Sequence, residues 1–230
     1  MAALPHSKTD AFRFSVTGGD NTMTGVIDGP KATAEFAIVN QYVNLGYSMS
    51  MTILAIDMKA WVKVRFTRVR NSGPIVPTKW MGMVFDKTVA TNGAPFCYDL
   101  ETDPGFTSDV FSYGSDVQQT SPGHFSGVTA LSLTYGGHIL SDDHITALGS
   151  RIEAVPFTAV IDSQGRVASM SVEIPAGGGY SASTYRVTYG GYGSTTDPAP
   201  PAAADQTRAP GWLLPMFADA QYAGTNIRGR

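Results

Sequence analysis

Apolar residues recur at every second position through much of the chain, the spacing of strands with one buried face. Phe12-Arg13-Phe14-Ser15-Val16 opens the series, and residues 33–39, 50–56 and 60–66 continue it. The last is the cleanest. Ala60, Val62, Val64 and Phe66 share one side while Trp61, Lys63, Arg65 and Thr67 share the other, as in a half-buried antiparallel strand. A turn at Asn71-Ser72-Gly73-Pro74 leads to a further strand over residues 79–85. Residues 87–124 are rich in turn formers and acids and predict a long excursion with one short helix. Strands resume at 128–135, at 157–161, at 167–174 after a turn at Ser163-Gln164-Gly165, and at 185–189. Ser141 or Asp142 is placed to cap one short helix running to Leu148.

Short strands punctuated by turns, with no long helical period to supply parallel crossovers, predict an all-β fold. A single eight-stranded jelly-roll β-sandwich fits the strand count. The chain then divides into an N-terminal arm (1–30), a jelly-roll shell domain (31–194), and a Pro/Ala-rich linker with a C-terminal arm (195–230). Thr195 to Asp205 reads as a stiff, extended linker that adds nothing to a sheet. Beyond it stand Trp212, Leu213, Leu214 and Phe217. Burying each would gain about 1.5–3 kcal/mol, and leaving them in water would create an aggregation-prone patch. The cluster is expected to dock, on its own body or on a neighbouring copy. The linker's reach of roughly 30 Å permits both, and the neighbour is preferred.

Composition sharpens this picture. Charged residues are only 15% of the 230, against about 25% in an ordinary soluble domain, which suggests surface not meant for water. Aromatic residues at 10% exclude a disordered body. No apolar run approaches the roughly 18 residues of a membrane span, and residues 1–12 lack the basic-then-apolar layout of a secretory signal. A single cysteine, Cys97, forms no internal disulfide. The net charge of −3 argues against a protein that wraps nucleic acid mainly through its own charge. The charge is nonetheless divided. Residues 1–87 carry a net of +4, with Lys59, Lys63, Arg65, Arg68 and Arg70 in one strip, while residues 88–150 hold seven acids and no Lys or Arg. Such a chain can attract copies of itself.

No specific catalytic motif is present. His6, His124, His138 and His144 are scattered, and no metalloprotease, nucleophile-elbow, phosphate-loop or paired-cysteine pattern occurs. The protein is expected not to be an enzyme. Asp142-Asp143-His144 reads as a helix start rather than an acid–base or metal cluster. Asp99, Glu101 and Asp103 place carboxylates at every second residue of a turn-rich loop, a spacing that suits Ca²⁺. They form a candidate metal site set against a plain solvated acidic loop. Calcium is the one cofactor considered.

Residues 61–70 (WVKVRFTRVR), a Gly-Pro turn, and residues 79–87 (KWMGMVFDK) together resemble a strand pair in the coat proteins of small icosahedral positive-strand RNA viruses, many of them plant-infecting. The resemblance implies a jelly-roll subunit that tiles a closed capsid around a genome, located in the virion. Lys59, Lys63, Arg65, Arg68 and Arg70 would then be candidate genome contacts. Phe12 and Phe14, with Trp212, Leu213, Leu214 and Phe217, would be clamps between copies. Residues 1–30 carry only Lys8 and Arg13 as bases, so the basic arm that many members use to neutralise RNA is absent, and RNA binding would be weak. Deleting residues 206–230 is expected to weaken assembly more than it unfolds the body. The alternative is a carbohydrate-binding jelly-roll module or phage-type adhesin, with Trp61, Trp80, Tyr180, Tyr185, Tyr189 and Tyr192 as a stacking face.

Overall fold

The structure, a computed structural model, describes residues 4–5, 8–19, 21–42, 47–56, 59–67, 76–83, 103–132 and 139–211. It is all-β in character, with few helices. Six strands come first: β1 (Phe12–Thr17), β2 (Asn21–Asp28), β3 (Thr33–Tyr42), β4 (Tyr47–Ile56), β5 (Lys59–Thr67) and β6 (Trp80–Met83). A short helix α1 (Thr107–Ser112) precedes β7 (Gly114–Ser121) and β8 (His124–Thr129). Helix α2 (Asp142–Leu148) and a 3-10 turn (Gly149–Ile152) precede β9 (Val155–Ile161), β10 (Val167–Ile174) and β11 (Ser183–Gly190). A 3-10 turn (Ala203–Asp205) and β12 (Gln206–Arg208) follow.

All twelve strands join one sheet in the order β12-β6-β5-β4-β3-β2-β1-β11-β10-β9-β8-β7. The pairings are antiparallel between consecutive strands, apart from the antiparallel seam β1–β11 and the parallel pair β12–β6. This meander is a different order from the Greek-key crossings of the expected jelly roll. Its reason lies in the connections. Most strands of each half are joined by short turns, which leave each strand beside the next.

Register explains why one face is the core. Val64, Met51, Ile38, Met23, Val16, Val187, Met170, Ala159 and Phe125 stand opposite one another in a row across nine strands, which Gln119 of β7 ends. Apolar side chains of β1 to β6 and β9 to β11 belong to one hydrophobic cluster, so an open sheet this wide curls around its apolar side. Val110 of α1, Leu131, Ile139, Leu140, Leu148 and Ile152 come from the connections and close that side as a second layer.

The N-terminal segment is not an arm. β1 and β2 lie in the middle of the sheet, and Phe12 and Phe14 are 2% and 4% exposed within the chain's own core. They cannot serve as clamps to another copy without unfolding it. The linker differs from expectation too. It crosses to the Lys31 turn, where Lys31 Nζ meets the Asp197 carboxylate at 2.8 Å. It then passes Lys79, whose Nζ donates to the Ala204 carbonyl at 2.7 Å, and adds β12 to the sheet edge. Trp61 leans over side-chain-free Gly82, and its Nε1 donates to Gln206 Oε1 at 2.9 Å. The described tail therefore docks on its own body. Trp212, Leu213, Leu214 and Phe217 lie outside the described residues.

Candidate functional site

A cavity of about 460 Å³ opens at the β7–β8–β9 end of the apolar face. Phe111 of α1, Val117 of β7, Phe125 of β8, and Phe157, Ala159 and Ile161 of β9 line it, together with Gly165 of the β9–β10 turn. Alternation along β9 puts Phe157, Ala159 and Ile161 on one side, and Phe125 stands opposite Ala159. Gly127 lets the Phe157 ring approach, since a Cβ there would meet that ring at 2.8 Å. The Phe111 and Phe157 rings are tilted together at 5.8 Å.

Val117 reaches this wall through a β-bulge. Ser115 pairs with Val128 and Gln118 with Ser126, so Asp116 and Val117 together oppose Gly127 alone. Asp116 sits in the left-handed region at φ +52° and takes up the extra residue, turning the next side chain to the cavity side. Val117 is 55% exposed, which marks it as the rim.

The far wall depends on a buried polar clasp. Asp103 is 4% exposed. Its carboxylate accepts from the backbone N–H of Gly105 and Ser108, each at 3.0 Å, and from the hydroxyls of Thr107 and Tyr189. The Tyr185 hydroxyl donates to the Gly105 carbonyl at 3.0 Å. Gly105 lies so close to β11 that a Cβ would fall 2.3 Å from Val187 Cγ1. This clasp fastens the start of α1, and with it Phe111, onto the central strand β11. Burial first, and the Asp103 charge second, push the hydroxyls of Tyr185 and Tyr189 well above the ordinary tyrosine range.

The predicted site residues are placed differently. Asp103 turns inward and spends its carboxylate on four donors of its own chain, while Asp99 and Glu101 lie outside the described residues. Among the described residues no three His, Cys, Asp or Glu side chains gather as metal ligands. Lys59, Lys63 and Arg65 share the sheet side opposite Val62 and Val64, with Lys63 Nζ 4.6 Å from the Trp80 ring centroid. Arg68 and Arg70 lie outside the described residues. The aromatic residues proposed for sugar stacking do not form one surface. Tyr185 and Tyr189 are core, Trp61 is covered by the tail, and Tyr180 stacks on His144 at 3.8 Å. Asp142 and Asp143 form the first turn of α2, where the His144 N–H donates to the Ser141 cap at 3.4 Å.

The cavity residues themselves were not singled out as a site by sequence reasoning. The alternation of Phe157 and Ile161 was visible, but alternation also describes plain core. A comparison of the chain with protein-family models and with curated proteins finds no match to either.

Proposed function

We propose that this protein is a non-catalytic carrier that binds one apolar molecule, an acyl chain or a comparable hydrocarbon, in the cavity at the β7–β8–β9 end of the sheet. The observation that carries the reading is the lining: six apolar side chains and a glycine, with no polar side chain among them. The volume falls within the range of about 300–1,000 Å³ typical of small-molecule sites. A cavity so lined offers no hydrogen bond to a polar ligand, which would lose its water contacts without replacement. An alkyl chain suffers no such loss. Each methylene gains about 0.8 kcal/mol, or roughly fourfold in affinity. About ten methylenes gain about 8 kcal/mol gross, and association costs at least about 4 kcal/mol. For ten methylenes the expected Kd is then about 1 mM or weaker.

Titration with saturated fatty acids of increasing length, read by displacement of a fluorescent naphthalene-sulfonate probe, tests this. Affinity should climb roughly fourfold per methylene until the cavity is full. Val117→Asp, at an exposed rim position, should weaken binding tenfold or more without unfolding the chain. Affinity indifferent to chain length and to Val117→Asp would defeat the reading.

Assembly into an icosahedral coat enclosing a genome is the second reading. The observation in its favour is the quoted strand pair: β5 and β6 are antiparallel neighbours with Trp61 opposite Gly82, and Lys59, Lys63 and Arg65 stand together off the core side. That reading calls for an eight-stranded jelly roll, whose strand order differs from the meander described above. Negative-stain microscopy separates the two readings. Closed particles in native material favour the coat, and their absence alongside chain-length-dependent binding favours the carrier.

A further inference from the structure

At the end of the sheet away from the cavity, three adjacent strands carry cations and no acid on their outer side. Along β5, alternation puts Lys59, Trp61, Lys63 and Arg65 on the side away from the core. Trp61 stands opposite Gly82, so Trp80 shares that side, and Lys63 Nζ lies 4.6 Å from its ring centroid. Gln206 of β12 pairs with Trp80 and reaches Trp61 there, which places Arg208, two residues on, at the same surface. Lys59, Arg65 and Arg208 are exposed, and Lys63 is half-buried. Lys63 and Arg65 are about 7 Å apart along their strand, and Arg208 is two strands from β5, about 10 Å. β4, β5, β6 and β12 contain no acid. The first strand carboxylate on this side is Glu35 of β3, opposite Leu54, and Asp205 sits in the turn before β12. Among the described residues no carboxylate forms an ion pair with any of the four cations.

We infer that this strip is a docking surface for an anionic lipid bilayer. Four cations on one side of neighbouring strands complement a layer of lipid phosphates, and each basic side chain near such a leaflet is worth about fivefold in binding. Single-stranded nucleic acid, the other polyanion of this kind, also needs bare aromatic faces for its bases. Here Trp61 is 8% exposed beneath Gln206, and Lys63 covers one face of Trp80. The course of the chain favours lipid too. It leaves this sheet edge through Gly211, three residues past β12, and the sequence goes on with Trp212, Leu213 and Leu214, residue types suited to the headgroup boundary. A protein that carries hydrocarbon has to meet a membrane, but the docking rests on the charges and not on the carrier reading.

Flotation of the full chain with phosphatidylcholine vesicles, with and without about a third of phosphatidylglycerol, tests the inference. At low salt, binding to the anionic vesicles should exceed binding to the neutral ones about a hundredfold or more. It should vanish at about 1 M salt, where the screening length shrinks to about 3 Å. Lys59→Gln/Arg65→Gln, at two exposed positions, should weaken it about twenty-fivefold while keeping native circular dichroism. Arg186→Gln, which removes an exposed cation on the outer side of β11, should change it by less than about twofold. Equal binding to both kinds of vesicle overturns the inference, as does a double variant that binds like the parent. A loss in Arg186→Gln as large as in the double variant also overturns it, because the charge of the whole molecule would then suffice. Binding of a short poly-uridine strand but not of vesicles, with the same dependence on Lys59 and Arg65, overturns it in favour of nucleic acid. Vesicle docking as expected, with no uptake of the naphthalene-sulfonate probe by the free protein, defeats the carrier reading alone.

Discussion

At the scale of single residues, the chemistry of this chain is concentrated where three hydroxyls and one carboxylate are taken out of water. A buried carboxylate is costly unless donors surround it, and Asp103 is met by four. The same enclosure fixes how the protein responds to alkali. In the unfolded chain a tyrosine ionises near pH 10. In the folded chain burial holds Tyr185 and Tyr189 well above that value and pushes Tyr192 up to about 12. The unfolded state therefore releases protons that the folded state keeps. Stability is intact below about pH 10 and falls as pH rises beyond it, by about 1.4 kcal/mol per pH unit for each fully buried tyrosine. Urea midpoints taken between about pH 9 and about pH 11 should drop accordingly, and Tyr185→Phe should flatten the slope. A midpoint constant across that interval would show the hydroxyls to be in contact with solvent.

At the scale of elements, legibility followed side-chain volume. β1, β3, β4, β5, β9, β10 and β11 were visible because large apolar residues alternate with polar ones. β2 was not, because glycine interrupts its core-facing series Met23-Gly25-Ile27. That glycine is required: a Cβ at Gly25 would lie 2.5 Å from Phe36 Cβ and 2.9 Å from the Phe14 ring. The neighbouring strands fill the space that β2 leaves. β7 was hidden in the acidic excursion because Val117 is its lone apolar residue, and no alternation can be read from one position. The expected strand over 128–135 is, in the described part, the end of β8, which stops at Thr129. The clasp at Asp103 was not legible because the sequence shows its carboxylate but not the Tyr189 and Thr107 hydroxyls folded onto it. The bulge yields a prediction at this scale. Valine at the left-handed Asp116 position should cost about 1–2 kcal/mol and weaken probe binding as Val117 turns away. Asp116→Gly should stay within about 0.5 kcal/mol of the parent. Guanidinium midpoints and probe titration report both, and equal stability of the two variants would remove the bulge from the account.

At the scale of the whole molecule, the tail belongs to the body up to Gly211. Leu54 and Trp61 lie opposite each other on the outer sheet side and are 2% and 8% exposed. From the tail, Gln206 accepts the Trp61 Nε1 hydrogen bond there. Removing residues 195–230 should uncover Trp61, cost about 1.5–3 kcal/mol, and shift tryptophan emission to the red. Deleting residues 206–230, expected from the sequence to weaken assembly more than it unfolds the body, also removes β12 and the Gln206 partner of Trp61. A truncated chain with the parent's urea midpoint would show that these contacts add nothing to the body.

The seam between β1 and β11 has a consequence for how the molecule is made. In each half, β1 to β6 and β7 to β11, every strand adjoins the next one along the chain, so each half can zip up locally as it leaves the ribosome. The two halves are stitched through Phe14 opposite Tyr189 and Val16 opposite Val187. The first strand synthesised thus waits with a bare flank, its phenylalanines wet, until nearly the last one arrives. A pause in translation after the first half would leave that flank open to whichever strand reached it first.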